Sequence, residues 1–332
     1  MKKLINDPAL FVDEFLAGIV AAHNTSVRLV GDDRRVLVRA DAPVAGHVGI
    51  VTGGGSGHLP LFLGYVGMGL CSGVAIGNVF SSPSAEQILR ATRAVDGGAG
   101  VVYLYGNYGG DVLNFDIAAE MAAEEGIAIE SVVVADDVAS APRAQAADRR
   151  GVAGMVLAYK VAGAAAERGD PLAAVASAAR SLLESTRTMG VGLSPTILPA
   201  LGKPTFELGD GEMEIGIGIH GERGVRRVAL ETADAIADEL FDAVVEELAL
   251  VAGDRVSVMV NGLGATPLEE LYIVYRRIAE RLASVDVRVQ RADVGEFATS
   301  LEMAGASLTI ARVDDASIEL LEAPAASPFF RR

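Results

Sequence analysis

Short apolar runs alternate with amphipathic stretches along most of the chain, and this alternation predicts its secondary structure. The runs are rich in valine and isoleucine, which is typical of buried strands. They lie at residues 48–51, 101–105, 129–134 and 256–260. Between them, apolar residues recur three or four positions apart, as in a helix over 8–22 that begins at Asp7 and Pro8. This order of strands and helices predicts a layered, largely parallel α/β sheet.

Turns and caps predict the remaining elements. Ser84 followed by Gln87 predicts a capped helix start, and residues 31–34 predict a hairpin turn between strands 27–30 and 36–38. The isoleucines that alternate along residues 214–220 predict a strand with one apolar face that ends at His220. Further helices are predicted at 155–167, 171–186, 230–248 and after Thr266, and further strands at 286–291 and 307–313.

The chain of 332 residues is long enough for two domains. Glycine and proline punctuate residues 190–204, which indicates the connection between two halves. We predict two α/β domains, each a β-sheet flanked by helices. The first, residues 1–186, carries the glycine loops and Asp111, and the second, residues 187–332, carries His220. We expect the C-terminal tail, residues 318–332, to pack on the first domain.

The composition mainly excludes certain classes of protein and of site. A formal net charge of −16 argues against a nucleic-acid partner, because binding to phosphate backbones needs a basic surface. The single cysteine, Cys71, excludes an intrachain disulfide framework and a cysteine-cluster metal site. No uncharged apolar run approaches the roughly 18 residues of a membrane span, and residues 6–8 interrupt the lysine-containing start before a signal sequence could form. We therefore expect a cytoplasmic protein without membrane contact.

Histidine chemistry is restricted to few positions, because the chain has only four histidines. His220 lies at or just past the end of its predicted strand, and Gly216 and Gly218 remove side chains from one face of that strand. Glycine inside a strand often marks close approach of a ligand or of another backbone. His220 is therefore either an imidazole that a small molecule reaches or a satisfied histidine beside a strand packed tightly on a helix.

A glycine-rich segment, residues 53–58, directly follows the predicted strand 48–51, as in many ligand-binding loops. It lacks the lysine of a phosphate-binding loop, and Leu59 and Pro60 interrupt the pattern that a dinucleotide fingerprint needs. A nicotinamide enzyme is therefore disfavoured. The glycine N–H groups beside Ser56 and His58 are suited to hydroxyl groups or an oxyanion.

Asp111 follows two glycines at a predicted strand-to-helix turn. It is either the N-cap of that helix or a carboxylate aimed into the same crevice as the glycine loop, and both can hold. Asp136 and Asp137 are interpreted as a cap or a solvated edge. The sequence has no recognisable magnesium-binding carboxylate cluster and no phosphate loop. The residues alone thus indicate a site for a small polyhydroxylated molecule.

Together these residues resemble the ketose-binding subunit of the dihydroxyacetone kinases. The resemblance covers nearly the whole chain and implies the two-domain α/β fold of the first domain of those kinases. It is carried by residues 1–7, 39–46, 53–58, 109–115, 149–153, 202–204, 212–222, 253–272 and 299–303.

The resemblance also implies a mechanism. A ring nitrogen of His220 adds to the carbonyl of a short-chain ketose and gives a covalent hemiaminal, so that glycerol, which has no carbonyl, is rejected. His58 and Asp111 match the acid and base positions for attack of the terminal hydroxyl on phosphorus. The positions that match the substrate cradle are Gly55, Ser56, Gly57, Ser81 and Gly106.

By the same resemblance, the phosphoryl donor lies on another chain. We expect no cofactor and no metal on this chain, and a helical nucleotide-binding subunit of the DhaL type as its partner. The ultimate donor is either ATP with Mg²⁺ or a protein of the phosphotransferase system. Two copies of this chain are expected to form a homodimer.

The sequence departs from dihydroxyacetone-specific members at two informative positions. Leu59 replaces a glutamate, and Gly106 replaces a lysine in the loop before Asp111. Because the lysine side chain is lost, one hypothesis is a kinase subunit for a larger ketose, such as erythrulose or a branched pentulose. A second is an ordinary dihydroxyacetone kinase subunit with drifted positions. A third is a non-catalytic ketose sensor that acts as a co-activator.

Overall fold

The computed structural model describes residues 2–332, and its strands form two six-stranded β-sheets. The first sheet contains β1 (Val27–Val30), β2 (Asp33–Arg39), β3 (Gly49–Ser56), β4 (Gly73–Val79), β5 (Val101–Gly106) and β6 (Ile129–Val134). Its strand order is β1-β2-β4-β3-β5-β6. Strands β3 to β6 are parallel, whereas β2 pairs antiparallel with both β1 and β4.

The second sheet has the strand order β11-β10-β12-β7-β8-β9. Its strands are β7 (Thr186–Ser194), β8 (Glu212–Ile215), β9 (Arg226–Ala229), β10 (Arg255–Gly262), β11 (Arg288–Gly295) and β12 (Ala304–Arg312). Only β10 and β11 run parallel, and the other neighbours are antiparallel. The predicted α/β fold with helix-flanked sheets is confirmed, but the largely parallel arrangement holds for the first sheet alone.

Helices cover the outer faces of both sheets and fill the space between them. They are α1 (Phe11–His23), α2 (Ala85–Val95), α3 (Gly109–Glu124), α4 (Gly154–Glu167), α5 (Leu172–Glu184), α6 (Ala233–Leu248), α7 (Leu268–Ser284) and α8 (Asp315–Glu322). Helices α2 and α3 pack on the first sheet, and α6 and α7 on the second. Helices α4 and α5 contact both sheets. One buried apolar cluster therefore joins Leu104 of the first sheet to Met259 and Ala311 of the second.

Helix α4 contacts both sheets because it is apolar on nearly every side. All residues from Gly154 to Ala166 are buried, and a helix with no polar face is stable only where protein surrounds it. A Cβ at Gly163 would collide with the backbone of Gly69, so glycine allows the close packing of α4. The Lys160 Nζ donates to the carbonyl of Leu320 at 2.6 Å and ties α4 to α8.

The structure corrects three boundaries expected from the sequence. Residues 190–194, predicted to lie in the connection between halves, belong to β7. The glycines of residues 53–55 lie within β3 and not in a loop. The strand predicted to end at His220 stops at Ile215, because Gly216 has a φ of 77° and turns the chain.

The site lies where the two sheets meet. The segments that follow β3 and β5 meet there with residues 216–222, which follow β8. The C-terminal segment contacts the stretch between β3 and β4, where the Ala326 N–H donates to Met68 and the Ser327 hydroxyl donates to Gly64. Within residues 2–332, no helix is both long and apolar enough to cross a bilayer.

Candidate active site

His58 follows the C-terminal end of β3 and is 1% exposed. Its Nδ1 lies 2.7 Å from the carbonyl oxygen of Thr299, and since a carbonyl only accepts, Nδ1 carries the proton. The lone pair is therefore on Nε2, which is buried and has no hydrogen-bond partner. Burial, and to a smaller extent the neighbouring His220, lower the pKa of His58 to about 3. His58 is thus a neutral imidazole with an unused acceptor.

His220 lies in the loop after β8, and its side chain is 22% exposed. Its ring stands edge-on to the ring of His58, with centroids 4.7 Å apart. Glu222 accepts twice from this residue, from the ring Nδ1 at 2.8 Å and from the backbone N–H at 2.9 Å. The proton of His220 therefore lies on Nδ1, and the lone pair lies on Nε2.

Glu222 is the carboxylate that orients His220, and the sequence analysis did not assign it a role. Burial by itself raises the pKa of Glu222, but the hydrogen bond from His220 and the positive charge that this ring carries when protonated bring it down to about 2. Glu222 is therefore ionised at neutral pH. An ionised carboxylate on Nδ1 stabilises positive charge that develops on the ring.

Two aromatic rings complete the surroundings of the histidines, and both were missed in the sequence analysis. Phe80 stacks on His58 at 4.8 Å and stands edge-on to His220 at 5.3 Å. Tyr108 stands edge-on to His220 at 4.7 Å. Phe80 has a φ of 55°, which is rare for a bulky residue. The only signal for Tyr108 was its place in the turn that precedes Asp111.

Asp111 is the third residue of α3 and not its N-cap, which is Tyr108, so the capping interpretation is wrong. Its Oδ1 is buried and has no hydrogen-bond partner. Burial raises the pKa of Asp111 to about 6, although the Ser82 hydroxyl and His220 both favour the charged form. A carboxylate with this pKa is suited to take up a proton near neutral pH.

The first sheet forms one wall of the site, and the glycines of this first-sheet wall make room for other residues of the protein, not only for a ligand. A Cβ at Gly55 would lie 2.6 Å from the backbone nitrogen of Ser81, and one at Gly57 would lie 2.8 Å from the Phe80 ring. Ser81 itself is exposed, and its hydroxyl donates to the carbonyl of Val79. The glycine run therefore lets the segment after β4 close over β3.

The space at Gly106 is occupied by neighbouring side chains. A Cβ there would lie 3.1 Å from the Tyr108 ring and 3.3 Å from the methyl group of Met155. Leu59, the other departure from the dihydroxyacetone-specific pattern, lines an apolar groove with Phe11 and Ile19. Neither position opens an empty pocket beside His220.

The two acidic residues after β6 are buried, so their interpretation as a solvated edge is wrong. Asp136 accepts from the backbone N–H groups of Val152 and Gly154 and thus caps the start of α4. Asp137 accepts from the Arg150 guanidinium at 2.9 Å. The two remaining histidines lie apart from this site, with His47 against the carbonyl of Ala166 and His23 against the Phe329 ring.

Four buried polar atoms on the residues of this site have no hydrogen-bond partner. They are Ser56 Oγ, His58 Nε2, Tyr108 Oη and Asp111 Oδ1. Each unpaired buried polar atom costs about 1–3 kcal/mol, so such a group of them is unfavourable without a ligand. Hydroxyl groups can both donate and accept hydrogen bonds, so they match atoms of this kind chemically. Among residues 2–332, no group of three or more His, Cys, Asp or Glu side chains is arranged to hold a metal ion.

Comparisons with known proteins identify the family of the chain. The Dak1 domain family matches residues 17–329. The chain is 46% identical over 331 residues to the dihydroxyacetone-binding subunit DhaK of PTS-dependent dihydroxyacetone kinase 2 from Listeria innocua, covering 100% of this chain and 99% of that one. It is 44% identical to the L-erythrulose kinase of Pectobacterium atrosepticum, covering 100% of this chain but 56% of that longer protein.

Solved structures show the same fold. The dihydroxyacetone kinase from C. freundii in complex with AMP-PNP and Mg²⁺ has a TM-score of 0.90 at 31% identity, covering 98% of this chain and 60% of that chain. The dihydroxyacetone kinase operon co-activator DhaQ has a TM-score of 0.88 at 33% identity, covering 96% and 97%. The resemblance inferred from the sequence is therefore confirmed, and the chain belongs to the Dak1 family of the dihydroxyacetone kinases.

Proposed function

We propose that this chain is the ketose-binding subunit of a dihydroxyacetone-type kinase. It holds a short-chain ketose as a covalent hemiaminal on Nε2 of His220 and presents the terminal hydroxyl to a phosphoryl donor on a separate subunit. The observation that carries the proposal is the contact of the His220 Nδ1 with Glu222, because it leaves Nε2 as the nucleophilic nitrogen. The unpaired polar atoms around it supply contacts for the ketose hydroxyls.

The covalent step balances within the site. The Nε2 lone pair of His220 forms a bond to the ketone carbon, and the carbonyl π electrons move to oxygen, which takes up a proton from solvent. Glu222 stabilises the imidazolium, which releases its Nδ1 proton to solvent through Glu222, so that no net proton is gained or lost. Fixing the ketose in this way supplies the positioning on which phosphoryl transfer depends.

Asp111 and His58 act on the bound ketose in this proposal. Asp111 takes the proton of the terminal hydroxyl as its oxygen bonds to phosphorus, and the pKa of about 6 suits that role. The His58 Nε2 accepts a hydrogen bond from a ketose hydroxyl, since it is a buried acceptor without a partner. Gly55, Ser56, Gly57, Ser81 and Gly106 remain the proposed substrate cradle.

The donor belongs to a partner in this proposal. The helical nucleotide-binding subunit brings ATP with Mg²⁺ or passes on phosphate from the phosphotransferase system. The name of the Listeria innocua relative calls that kinase PTS-dependent, which supports the second donor. The proposal also retains the homodimer that the resemblance implies, together with the cytoplasmic location and the two domains, residues 1–186 and 187–332, that were expected from the sequence itself.

Mass spectrometry of the intact protein and of its peptides tests the proposal. The protein is incubated in turn with dihydroxyacetone, L-erythrulose, D-erythrulose and glycerol, without a reductant. We expect an adduct on the peptide that contains His220 with ketoses only. The absence of an adduct with every ketose, in solution and in soaked crystals, would contradict the proposal.

A tetrulose kinase subunit is a second candidate, and the 44% identity to an L-erythrulose kinase favours it. The Gly106 argument does not, because a Cβ at this position would already lie 3.1 Å from the Tyr108 ring. Specificity constants for dihydroxyacetone and the two erythruloses, measured with the donor subunit, decide between the substrates.

A ketose sensor is a third candidate, and the likeness to the co-activator DhaQ favours it. A sensor would form the adduct but would not support turnover with a donor subunit. Phosphorylation of the bound ketose would exclude a purely sensory role.

A further inference from the structure

One arginine connects the two halves of the site. Arg150 lies between β6 and α4, yet its guanidinium reaches the loop that carries His220. It donates to the carbonyl oxygen of Gly216 at 3.1 Å, and its Nη1 lies 3.9 Å from Oε2 of Glu222. The other oxygen of Glu222 accepts from Nδ1 of His220. Arg150 therefore contacts the residue that contacts the proposed nucleophile.

Arg150 is itself held firmly. Its Nε donates to Oδ2 of Asp137 at 2.9 Å, and its backbone N–H donates to the Ser140 hydroxyl at 2.9 Å. The Asp137 N–H returns a hydrogen bond to the Arg150 carbonyl at 3.1 Å. Because the backbone and Nε are both fixed, the end of the planar guanidinium has a defined position.

Gly218 indicates that the loop is shaped around this contact. A Cβ at Gly218 would lie 2.5 Å from Nη1 of Arg150 and closer still to Oε2 of Glu222. Gly218 does not have a positive φ, so its backbone does not require glycine. The absence of a side chain is instead what allows Arg150 and Glu222 to approach each other.

We propose that Arg150 is a positioning residue for covalent capture of the ketose, which holds Glu222 against His220 so that Nδ1 keeps the proton and Nε2 keeps the lone pair. The inference rests on the proposed function and adds a residue of the first half of the chain to the His220 machinery. The hydrogen bond at one ring nitrogen decides which nitrogen carries the proton. Without a fixed carboxylate, the proton distributes over both nitrogens and the reactive fraction falls.

The alternative is that Arg150 only stabilises the loop through the Gly216 carbonyl. Four variants separate the two roles: Arg150→Gln, Arg150→Lys, Glu222→Gln, and the double variant with both glutamines. Arg227→Gln is the matched control. Arg227 also pairs with a glutamate, Glu214, at 3.2 Å, and it lies on β9 of the second sheet.

Two measurements are made on each folded protein. The His220 tautomer is read in the ligand-free protein by long-range ¹H–¹⁵N NMR with ¹⁵N-labelled histidine, the signal being assigned by its loss in His220→Asn. The dihydroxyacetone adduct is measured by intact-protein mass spectrometry over a concentration series. The first readout needs no ketose, so it judges the inference even if the proposed function fails.

We expect the Nδ1–H tautomer in the wild type and in Arg227→Gln. Arg150→Gln gives a tautomer mixture and needs about tenfold more ketose for the same adduct, as a misplaced nucleophile does. Arg150→Lys, which keeps the charge, restores part of both readouts. The double variant is within about twofold of Glu222→Gln, because Arg150 acts through Glu222.

The inference is wrong if Arg150→Gln keeps the Nδ1–H tautomer. It is also wrong if the ketose concentration that the double variant needs rises by the product of the increases measured for Arg150→Gln and Glu222→Gln. A wild-type protein that forms no adduct contradicts the proposed function, and the tautomer then decides the role of Arg150. Should Arg150→Gln not fold, Gly218→Ala separates the same two side chains and is judged by the same readouts.

Discussion

His58 and His220 lie side by side on opposite walls of the site, and they differ in the partner of Nδ1. For His58 that partner is a backbone carbonyl, in a position closed to solvent. For His220 it is a carboxylate, and the ring remains partly exposed. A carboxylate stabilises an imidazolium as it forms, whereas a carbonyl does so only weakly. The comparison shows how one side-chain type serves as a neutral acceptor on one wall and as the proposed nucleophile on the other.

The two walls also differ in what surrounds their glycines. On the first-sheet wall, Gly55 faces backbone atoms of Phe80 and Ser81. On the second-sheet wall, Gly218 faces the ends of the Arg150 and Glu222 side chains. Backbone cannot move aside, whereas the ends of the Arg150 and Glu222 side chains can shift, although they then lose the contacts that hold them. Substitution on the first wall should therefore damage the fold, and substitution on the second should damage the chemistry.

Replacement of the nucleophile gives the largest expected effect. His220→Asn abolishes the ketose adduct and lowers turnover with the donor subunit by at least about 10³-fold, since covalent positioning is lost. His58→Asn on the other wall removes a proposed hydrogen-bond acceptor and not the nucleophile, so it still forms the adduct but needs more ketose. Mass spectrometry and a coupled phosphorylation assay measure both. An adduct that persists in His220→Asn would remove the distinction between the two histidines.

Loss of the carboxylate on the first wall has the next largest effect on turnover. Asp111→Asn keeps the adduct but lowers kcat by about 10²–10⁴-fold, the usual contribution of a general base. In the wild type, kcat rises with pH through about 6, because the base must be ionised. A wild-type kcat that shows no change between pH 5 and 8 would exclude Asp111 as the base.

The same substitution has an opposite effect on stability. The pKa of Asp111 is raised from 3.8 in the unfolded chain to about 6 in the folded protein, so stability is lost as pH rises between these values. The loss is about 3 kcal/mol at pH 8 by the usual conversion. Asp111→Asn removes this loss, and we expect it to be more stable than wild type at pH 8 in urea unfolding. Equal stability at pH 8 would show that the buried charge costs little.

A pair of glycine variants tests the contrast between the walls directly. Gly55→Ala lowers the free energy of unfolding by about 1–3 kcal/mol, because its Cβ meets backbone. Gly218→Ala changes stability by less than about 1 kcal/mol but lowers adduct formation about tenfold. Thermal unfolding and mass spectrometry measure the two effects. The reverse pattern would contradict the proposed difference between the two walls.

The smallest effect is expected at Leu59. Leu59→Glu restores the residue of dihydroxyacetone-specific members, but the side chain lines the groove beside α1. We expect the ratio of kcat/KM for dihydroxyacetone and L-erythrulose to change by less than about threefold, because the glutamate can extend along this open groove. A larger change would restore Leu59 as a specificity determinant.

The sequence was sufficient for the family and the α/β fold, because the motifs are long and cover nearly the whole chain. It also named His58, Asp111 and His220, whose roles remain a proposal. It did not predict β4, where Gly73–Val79 mixes small residues with few bulky ones and lacks clear alternation. Phe80, which follows that strand, was missed for the same reason.

Other features of the site depend on distances that spacing does not encode. Arg150 and Glu222 are 72 positions apart, and only the meeting of the two sheets brings them together. Gly218 was expected to mark close approach of a ligand or of another backbone, but its neighbours are side chains of the same protein. At Gly106 the loss of a side chain leaves no open space next to the backbone, because a Cβ there would lie 3.1 Å from the Tyr108 ring.

The layer formed by α4 and α5 has a consequence for how the chain unfolds. Because both sheets rest on these helices, the largest apolar cluster contains residues of both halves, in addition to the separate cluster of each half. Calorimetry should therefore show one cooperative transition, and limited proteolysis should not release a stable half. The whole chain, and not one half of it, aligns with part of the longer L-erythrulose kinase.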